Sequence, residues 1–323
     1  MTLPPKVIVP SMSPQTSETE KQEPPPPLMY NRRPVRHSHW GEYVAYFPRT
    51  TLRILNITMG LLHTTLAVVT LSVANLSLGA PVYATNLTYV PGTISNTSET
   101  NPAQIIPNYY ELTDLPLTWI VVSFFTLSAT AHLGNATVWR MFYERGLQQC
   151  MVTTRWIEYF FSASIMIVAL AYGTGIREYL LLFAVAMLTA STMPFGFLCE
   201  LYSRPRSATE WVQPFSRRIL FHVTGYIPQL SAWAIILTNF YMGIADGSKP
   251  PSFVYIIVWG QIVLFFSFGF VQLVQLCRPP NVYYQGEVLY QVLSASSKGL
   301  LGMLLLANVL MLDTFEEVYV TGE

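Results

Sequence analysis

A single lysine sits in the middle of an apolar run from about Gly286 to Leu312, within the stretch SASSKGLLG. The run is long enough to cross a bilayer as a helix, for which about 20 residues suffice. An ammonium near the centre of such a segment costs roughly 2.5–3.5 kcal/mol on insertion scales. Near a helix end its charge would snorkel to water, but Lys298 is too central for that. A chain that carries this residue must supply it with a partner or a reaction.

The rest of the chain reads as a polytopic membrane protein. It is 51% hydrophobic and only 11% charged, where a soluble domain carries about 25% charge. Its net charge of zero gives no electrostatic reason to bind nucleic acid. The charges cluster between long apolar runs, so seven spans are expected at about 51–76, 117–141, 150–173, 178–201, 219–242, 253–277 and 287–312. The expected fold class is therefore an all-α membrane protein, a seven-transmembrane-helix bundle. Residues 1–48 form a tail that reads as disordered, rich in Pro, Ser, Thr and Glu, with four prolines at Pro24–Pro27. Residues 49–313 form the helical domain and 314–323 a short tail. Trp40, Tyr43, Tyr46 and Phe47, among arginines, read as a belt at headgroup level; a partner-binding motif is the alternative.

Orientation follows from the basic residues. Of 18 lysines and arginines, fifteen fall on one side: Lys6, Lys21, Arg32, Arg33, Arg36, Arg49, Arg53, Arg140, Arg145, Arg155, Arg204, Arg206, Arg217, Arg218 and Arg278. Only Arg177 and Lys249 fall opposite. The positive-inside rule then places the N-terminus in the cytoplasm and the C-terminus outside. The outer connection 77–115 is long for a helix-to-helix link and has no Lys or Arg. It holds two glycosylation sequons, at Asn86 and Asn96. Its β-formers between turn residues predict a small two-stranded β-hairpin. Cys150, Cys199 and Cys277 all fall at inner helix ends, so no disulfide is expected.

Few ionisable residues interrupt the spans: His63, His132, Glu158 and Lys298, with Arg155 and Glu200 near inner ends. At roughly 1.5 Å per residue, the first four converge on one level in the inner half or middle of the bilayer. Arg155 and Glu158 are three apart and share a helix face. Two readings of Lys298 with Glu158 stand side by side. One is a buried salt bridge that fixes helix packing, though such pairs add little net stability. The other is a lysine condensed with an aldehyde as a protonated Schiff base, its charge favoured by a neighbouring carboxylate. Aromatic residues of the fifth and sixth spans, and the small residues Ser294, Ala295, Gly299 and Gly302, suit a polyene as well as ordinary helix packing.

Five segments together carry a family resemblance: ILNITMGLLH ending at His63, LSATAHL around His132, RWIEYFFSAS from Arg155, FGFLCEL with Glu200, and SASSKG with Lys298. Over about 49–312 the chain resembles the heliorhodopsins, retinal-binding seven-helix proteins with a cytoplasmic N-terminus. The resemblance implies all-trans retinal as cofactor, bound as a Schiff base on Lys298 with Glu158 as counterion and Ser297 adjacent. It implies His63 and His132 in a polar cavity on the inner side, with Arg155 nearby and Glu200 at the inner end of the fourth helix. Gly196, Phe265 and Gln272 match pocket positions. It also implies a homodimer with the outer loop at the contact, and leaves a cytoplasmic signalling partner open. Phe160 and Phe161 stand where smaller or aliphatic residues are expected.

The expected function is that of a light receptor rather than an enzyme, with no catalytic or metal site. Familiar microbial pumps place a second carboxylate eleven residues after the counterion; here that position is Ala169, and four residues after the counterion is Ser162. A light-gated proton conductance is the second reading, along a path from Glu158 through the histidines to Arg155 and Glu200. A receptor for a diffusible ligand conflicts with the charge count, and a transporter should show inverted repeats, which the sequence lacks.

Overall fold

The computed structural model describes residues 43–94, 100–101 and 103–314. The N-terminal tail through residue 42, the sequon at Asn96 and the C-terminal tail after residue 314 lie outside the described residues. So do Trp40 and five of the basic residues counted above, Lys6, Lys21, Arg32, Arg33 and Arg36.

The chain runs through α1 (Arg49–Val73), β1 (Gly79–Val90), β2 (Thr93–Ile94), β3 (Thr100–Asn101), β4 (Gln104–Pro116), α2 (Leu117–Ala136) and α3 (Arg140–Gln148). It continues through α4 (Thr153–Gly173), α5 (Tyr179–Tyr202), α6 (Phe215–Ala245), α7 (Ser252–Cys277) and α8 (Tyr283–Leu305). A 3-10 turn (Pro280–Val282) precedes α8, and a π-helical turn (Leu306–Leu310) extends it. Among the described residues, seven helices are long and apolar enough to cross a membrane. Among the described α-helices α3, short and polar, is not. Proline marks four of the starts: Pro48, Pro116, Pro214 and Pro251 each stand immediately before a helix. A proline ring clashes with the preceding turn, so a helix begins there rather than continuing through.

The spans differ from the sequence-based bounds mainly at α2, which ends at Ala136 instead of running to 141. Thr137 leaves helical backbone, and the Trp139 indole folds back to donate from Nε1 to Asn135 Oδ1 at 2.8 Å. The chain then restarts as α3 at Arg140. Apolarity alone did not register this break, because Thr137, Val138 and Trp139 suit a membrane helix as well as a turn.

Neighbouring membrane helices pack in a closed order, α1–α2–α4–α5–α6–α7–α8, with α8 returning to α1. Close approach between α2 and α8 depends on Gly302, where a Cβ would run into the Phe125 ring. The hairpin pairs β1 with β4 antiparallel from Gly79–Pro116 to Val90–Gln104, with a register shift between Val82 and Tyr83. Its root is tied to the α4–α5 turn: the Tyr83 amide donates to the Arg177 carbonyl at 2.8 Å, and the Tyr172 hydroxyl donates to the Ala80 carbonyl at 2.7 Å. Towards its tip Leu87, Tyr89, Ile105 and Tyr109 are exposed.

The interior is divided along the helix axes. On the hairpin side the core is apolar, built from Leu117, Val121, Phe124, Phe125, Met166, Ile167, Leu170, Leu301 and Leu305. On the α3 side polar side chains are buried among apolar ones such as Leu52, Leu147 and Val152: Asn56, His63, Ser128, His132, Arg155, Glu158, Glu200, Glu287, Gln291, Ser294 and Lys298. Lys298 and Glu158 lie where the two halves meet.

Candidate functional site

Lys298 Nζ donates to Glu158 Oε1 at 2.9 Å and to Ser294 Oγ at 2.7 Å. The same carboxylate oxygen accepts from Ser128 Oγ at 2.6 Å and from Ser162 Oγ at 2.8 Å. Helical spacing builds the cluster: Ser294 lies one turn before Lys298 on α8, Ser162 lies one turn after Glu158 on α4, and α2 brings in Ser128. The residue is 3% exposed, and the Tyr159 ring centroid lies 5.2 Å from its ammonium. A buried ion pair survives only where its remaining donors and acceptors are satisfied, and three donors on Oε1 provide that.

His63 and His132 stack with ring centroids 5.6 Å apart and planes inclined by 18°. Each ring has one nitrogen committed. His63 Nδ1 lies 2.8 Å from the Met59 carbonyl, so it is the donor. Asn56 Nδ2 donates to the Leu52 carbonyl, which turns Asn56 Oδ1 towards His132 Nδ1 at 3.0 Å. An amide oxygen only accepts, so His132 also carries its proton on Nδ1. Both Nε2 atoms are buried without a partner among the described residues.

Arg155 is engaged elsewhere. Its guanidinium is bound by Glu287 through Nη1 and by Glu200 through Nη2, between the rings of Trp156 and Tyr290. Glu200 Oε2 also accepts from Trp156 Nε1 at 2.7 Å and from the Val152 amide at 3.1 Å; its Oε1 accepts from the Tyr283 hydroxyl at 2.8 Å. Tyr143, on α3, closes the cluster by donating to Glu287 Oε1 at 3.0 Å, and its oxygen accepts from Gln291 Nε2 at 3.2 Å. Burial, reinforced by the Glu287 charge, pushes the Tyr143 phenol well above its usual range, so it stays protonated and serves as a donor.

The sequence reading missed several members of these clusters. Glu287 is the most consequential: it is buried, and it is half of what holds Arg155. A signal for it existed. Glu287, Gln291, Ser294 and Lys298 are spaced four, three and four apart, which lines them along one face of α8. Ser294 was read only as a small residue, yet it is the serine that touches Nζ. Ser297 instead donates its hydroxyl to the Ser294 carbonyl at 3.4 Å, and its own carbonyl accepts from Gln261 Nε2 at 2.8 Å. His222, inside α6, was passed over as well.

A cavity enclosing about 820 Å³ of empty space, its open mouth included, runs from Ser297 and Lys298 towards α5, α6 and α7. Trp156, Tyr159, Met166, Met193, Phe265 and Phe268 line it, and among the described residues Lys298 is the one Lys, Arg, Asp or Glu in its wall. Gly196, Phe265 and Gln272 are in the wall too. At Gly196 a Cβ would overlap the Trp156 ring, so the wall approaches there as closely as backbone permits. Gln272 Nε2 donates to the Gly196 carbonyl at 3.0 Å. An apolar cavity that ends in one buried primary amine, with a carboxylate already on that amine, fits an apolar aldehyde. Retinal is of that chemical type.

A family model described as Heliorhodopsin matches residues 52–310, most of the chain. No curated protein matches. Among solved structures, one similar chain is the light-driven proton pump LR (Mac) from Leptosphaeria maculans. It is 12% identical over 80% of this chain and 91% of that one, with a TM-score of 0.40.

Proposed function

The chain belongs to the heliorhodopsin family, and from that membership we propose a light receptor whose chromophore is all-trans retinal joined to Lys298. It is an integral, multi-pass membrane protein with a rhodopsin-type seven-helix bundle. Bound as a Schiff base, retinal supplies visible absorption and a light-driven isomerisation. The observation that carries the proposal is the Lys298–Glu158 pair at the end of an apolar cavity.

In this reading Glu158 Oε1 holds the positive charge at Nζ, and Ser128 and Ser162 hold Oε1 in place. A carboxylate at that distance favours the protonated nitrogen. When the charge at Nζ is displaced, Glu158 Oε1 is the nearest base for its proton. The two histidine Nε2 atoms are buried acceptors without a partner among the described residues. Movement of a proton among these atoms changes which buried charges are paired, and so biases helix positions. Arg155, Glu200, Glu287 and Tyr143 then link the bundle to α3. The fifteen basic residues support a cytoplasmic side for α3 and the N-terminus and an outer side for the hairpin. Exposed apolar side chains on the hairpin favour a homodimer formed there.

On the hairpin side a proton released at Nζ meets an apolar barrier. The position eleven residues after Glu158 is Ala169, buried in the apolar core. That supports a receptor over an outward pump. Addition of all-trans retinal to the expressed chain should produce a visible band, and Lys298→Ala should not produce it. A band that survives this substitution would remove Lys298 from its role.

One observation favours a proton conductance as the second reading. A cavity on the hairpin side, lined by Thr174, Arg177, Asn239 and Ser248, extends to Ala169 and Leu301. Leu301 is three residues beyond Lys298. Photocurrents under voltage clamp separate the two readings. A receptor gives at most a transient charge movement, and a conductance gives a sustained current with a finite reversal potential.

A further inference from the structure

The far side of the retinal cavity carries polar atoms that an unsubstituted hydrocarbon ring would leave idle. Gln272 fixes them. Because its Nε2 donates to the Gly196 carbonyl at 3.0 Å, its Oε1 faces His222 Nδ1, also at 3.0 Å. An amide oxygen cannot donate, so His222 carries its proton on Nδ1. In the neutral ring, Nε2 is then a bare acceptor. His222 is buried and lines the cavity, and its Nε2 bonds to nothing among the described residues. One turn further along α6 is Tyr226, whose ring stands edge-on to His222 at 5.1 Å. Its hydroxyl lies against Gly269, where a Cβ would overlap it, and it too has no partner among the described residues. An acceptor and a hydroxyl therefore face one cavity from one face of α6, which α7 separates from α8 in the packing order.

We infer that this corner is a hydrogen-bonding subsite for a hydroxyl group on the ring end of the chromophore, so that the chain selects ring-hydroxylated retinal over retinal itself. The inference rests on the reading of Lys298 as the attachment site. A ligand hydroxyl is both donor and acceptor: it would donate to His222 Nε2 and accept from the Tyr226 hydroxyl. A ring keto group could only accept, which would leave Nε2 unpaired. A site built to bond a hydroxyl discriminates because its polar groups are left unpaired by the analogue that lacks one.

Competition tests this. Limiting apoprotein receives an equimolar mixture of all-trans retinal with its 3-hydroxy or 4-hydroxy derivative, and the bound chromophore is extracted and quantified. One hydroxylated form should be enriched about 3–10-fold, the range expected for one net hydrogen bond. In His222→Phe and in Tyr226→Phe, each checked for folding by its band with all-trans retinal alone, the ratio should fall towards one. Tyr226→Phe removes a single oxygen, so its result does not depend on tolerance of a larger change. No enrichment of either derivative, or enrichment that persists in both variants, would overturn the subsite while leaving attachment at Lys298 intact. Absence of any visible band with all three compounds would overturn both.

Discussion

At the scale of single residues, the account depends on how buried charges are neutralised. Glu158→Gln removes the carboxylate that faces Nζ but keeps an acceptor of the same shape. The protonated Schiff base should then lose its proton at a pH about 1–3 lower than in the unaltered protein. A titration of the visible band measures this directly, and an unchanged midpoint would mean that another group is the counterion. Arg155→Met tests the second cluster. It leaves Glu200 and Glu287 buried without their cation, and loss of one partner from a buried pair costs about 3–5 kcal/mol. Unfolding in a detergent titration should show a loss of that order. These two clusters were not equally legible in the sequence. Lys298 and Glu158 announce themselves because each interrupts an apolar run that has no other reason to contain a charge. Glu287 does not, since Tyr283, Tyr284, Gln285 and Gln291 around it make the start of α8 look like a helix end near water. Its partner lies 132 positions earlier, and no local pattern indicates that pairing. Arg155 is expected near the histidines on a path that includes Glu200; it is held by Glu200 and also by Glu287.

Elements were legible to the extent that membrane helices are fixed by length and apolarity. The seven spans and the hairpin follow from those properties and from the β-formers between 77 and 115. The separate helix α3 did not follow, because the break at Thr137 rests on a tertiary fold-back of Trp139. This helix matters because it carries Tyr143 into the Arg155 cluster. Tyr143→Phe removes the bond to Glu287 and the acceptor for Gln291. A loss of about 1–3 kcal/mol is expected for a buried acceptor left short of a donor, again read by detergent unfolding. The packing of α8 offers an independent test. Gly302→Ala places a methyl group against Phe125, and overpacking of this kind costs about 1–3 kcal/mol. If Gly302→Ala proved neutral, α2 and α8 would have to be further apart than described.

For the molecule as a whole, the governing feature is the division of the interior into an apolar half and a polar half. The sequence already contains it. Along α2 the buried residues change from Leu117, Val121 and Phe124 to Ser128 and His132; along α8 they change from Glu287 and Gln291 to Leu301 and Leu305. In the proposed receptor, light absorbed at Lys298 would act on the polar side that leads to α3. Assembly belongs to this scale as well. Leu87 and Tyr89 lie two apart on β1, with Ile105 opposite Tyr89 on β4, so they share one exposed face of the hairpin. The combined change Leu87→Asp with Tyr89→Asp should shift a homodimer to monomer in size-exclusion chromatography, with the visible band retained. A dimer that withstands it would place the contact elsewhere. Chemical fixation of the chromophore tests the central claim most directly. The chain has four lysines, Lys6, Lys21, Lys249 and Lys298. Borohydride reduction of the illuminated pigment, followed by peptide mass spectrometry, should find a retinyl group on Lys298 alone. A retinyl group on any other lysine, or on none, would contradict the account.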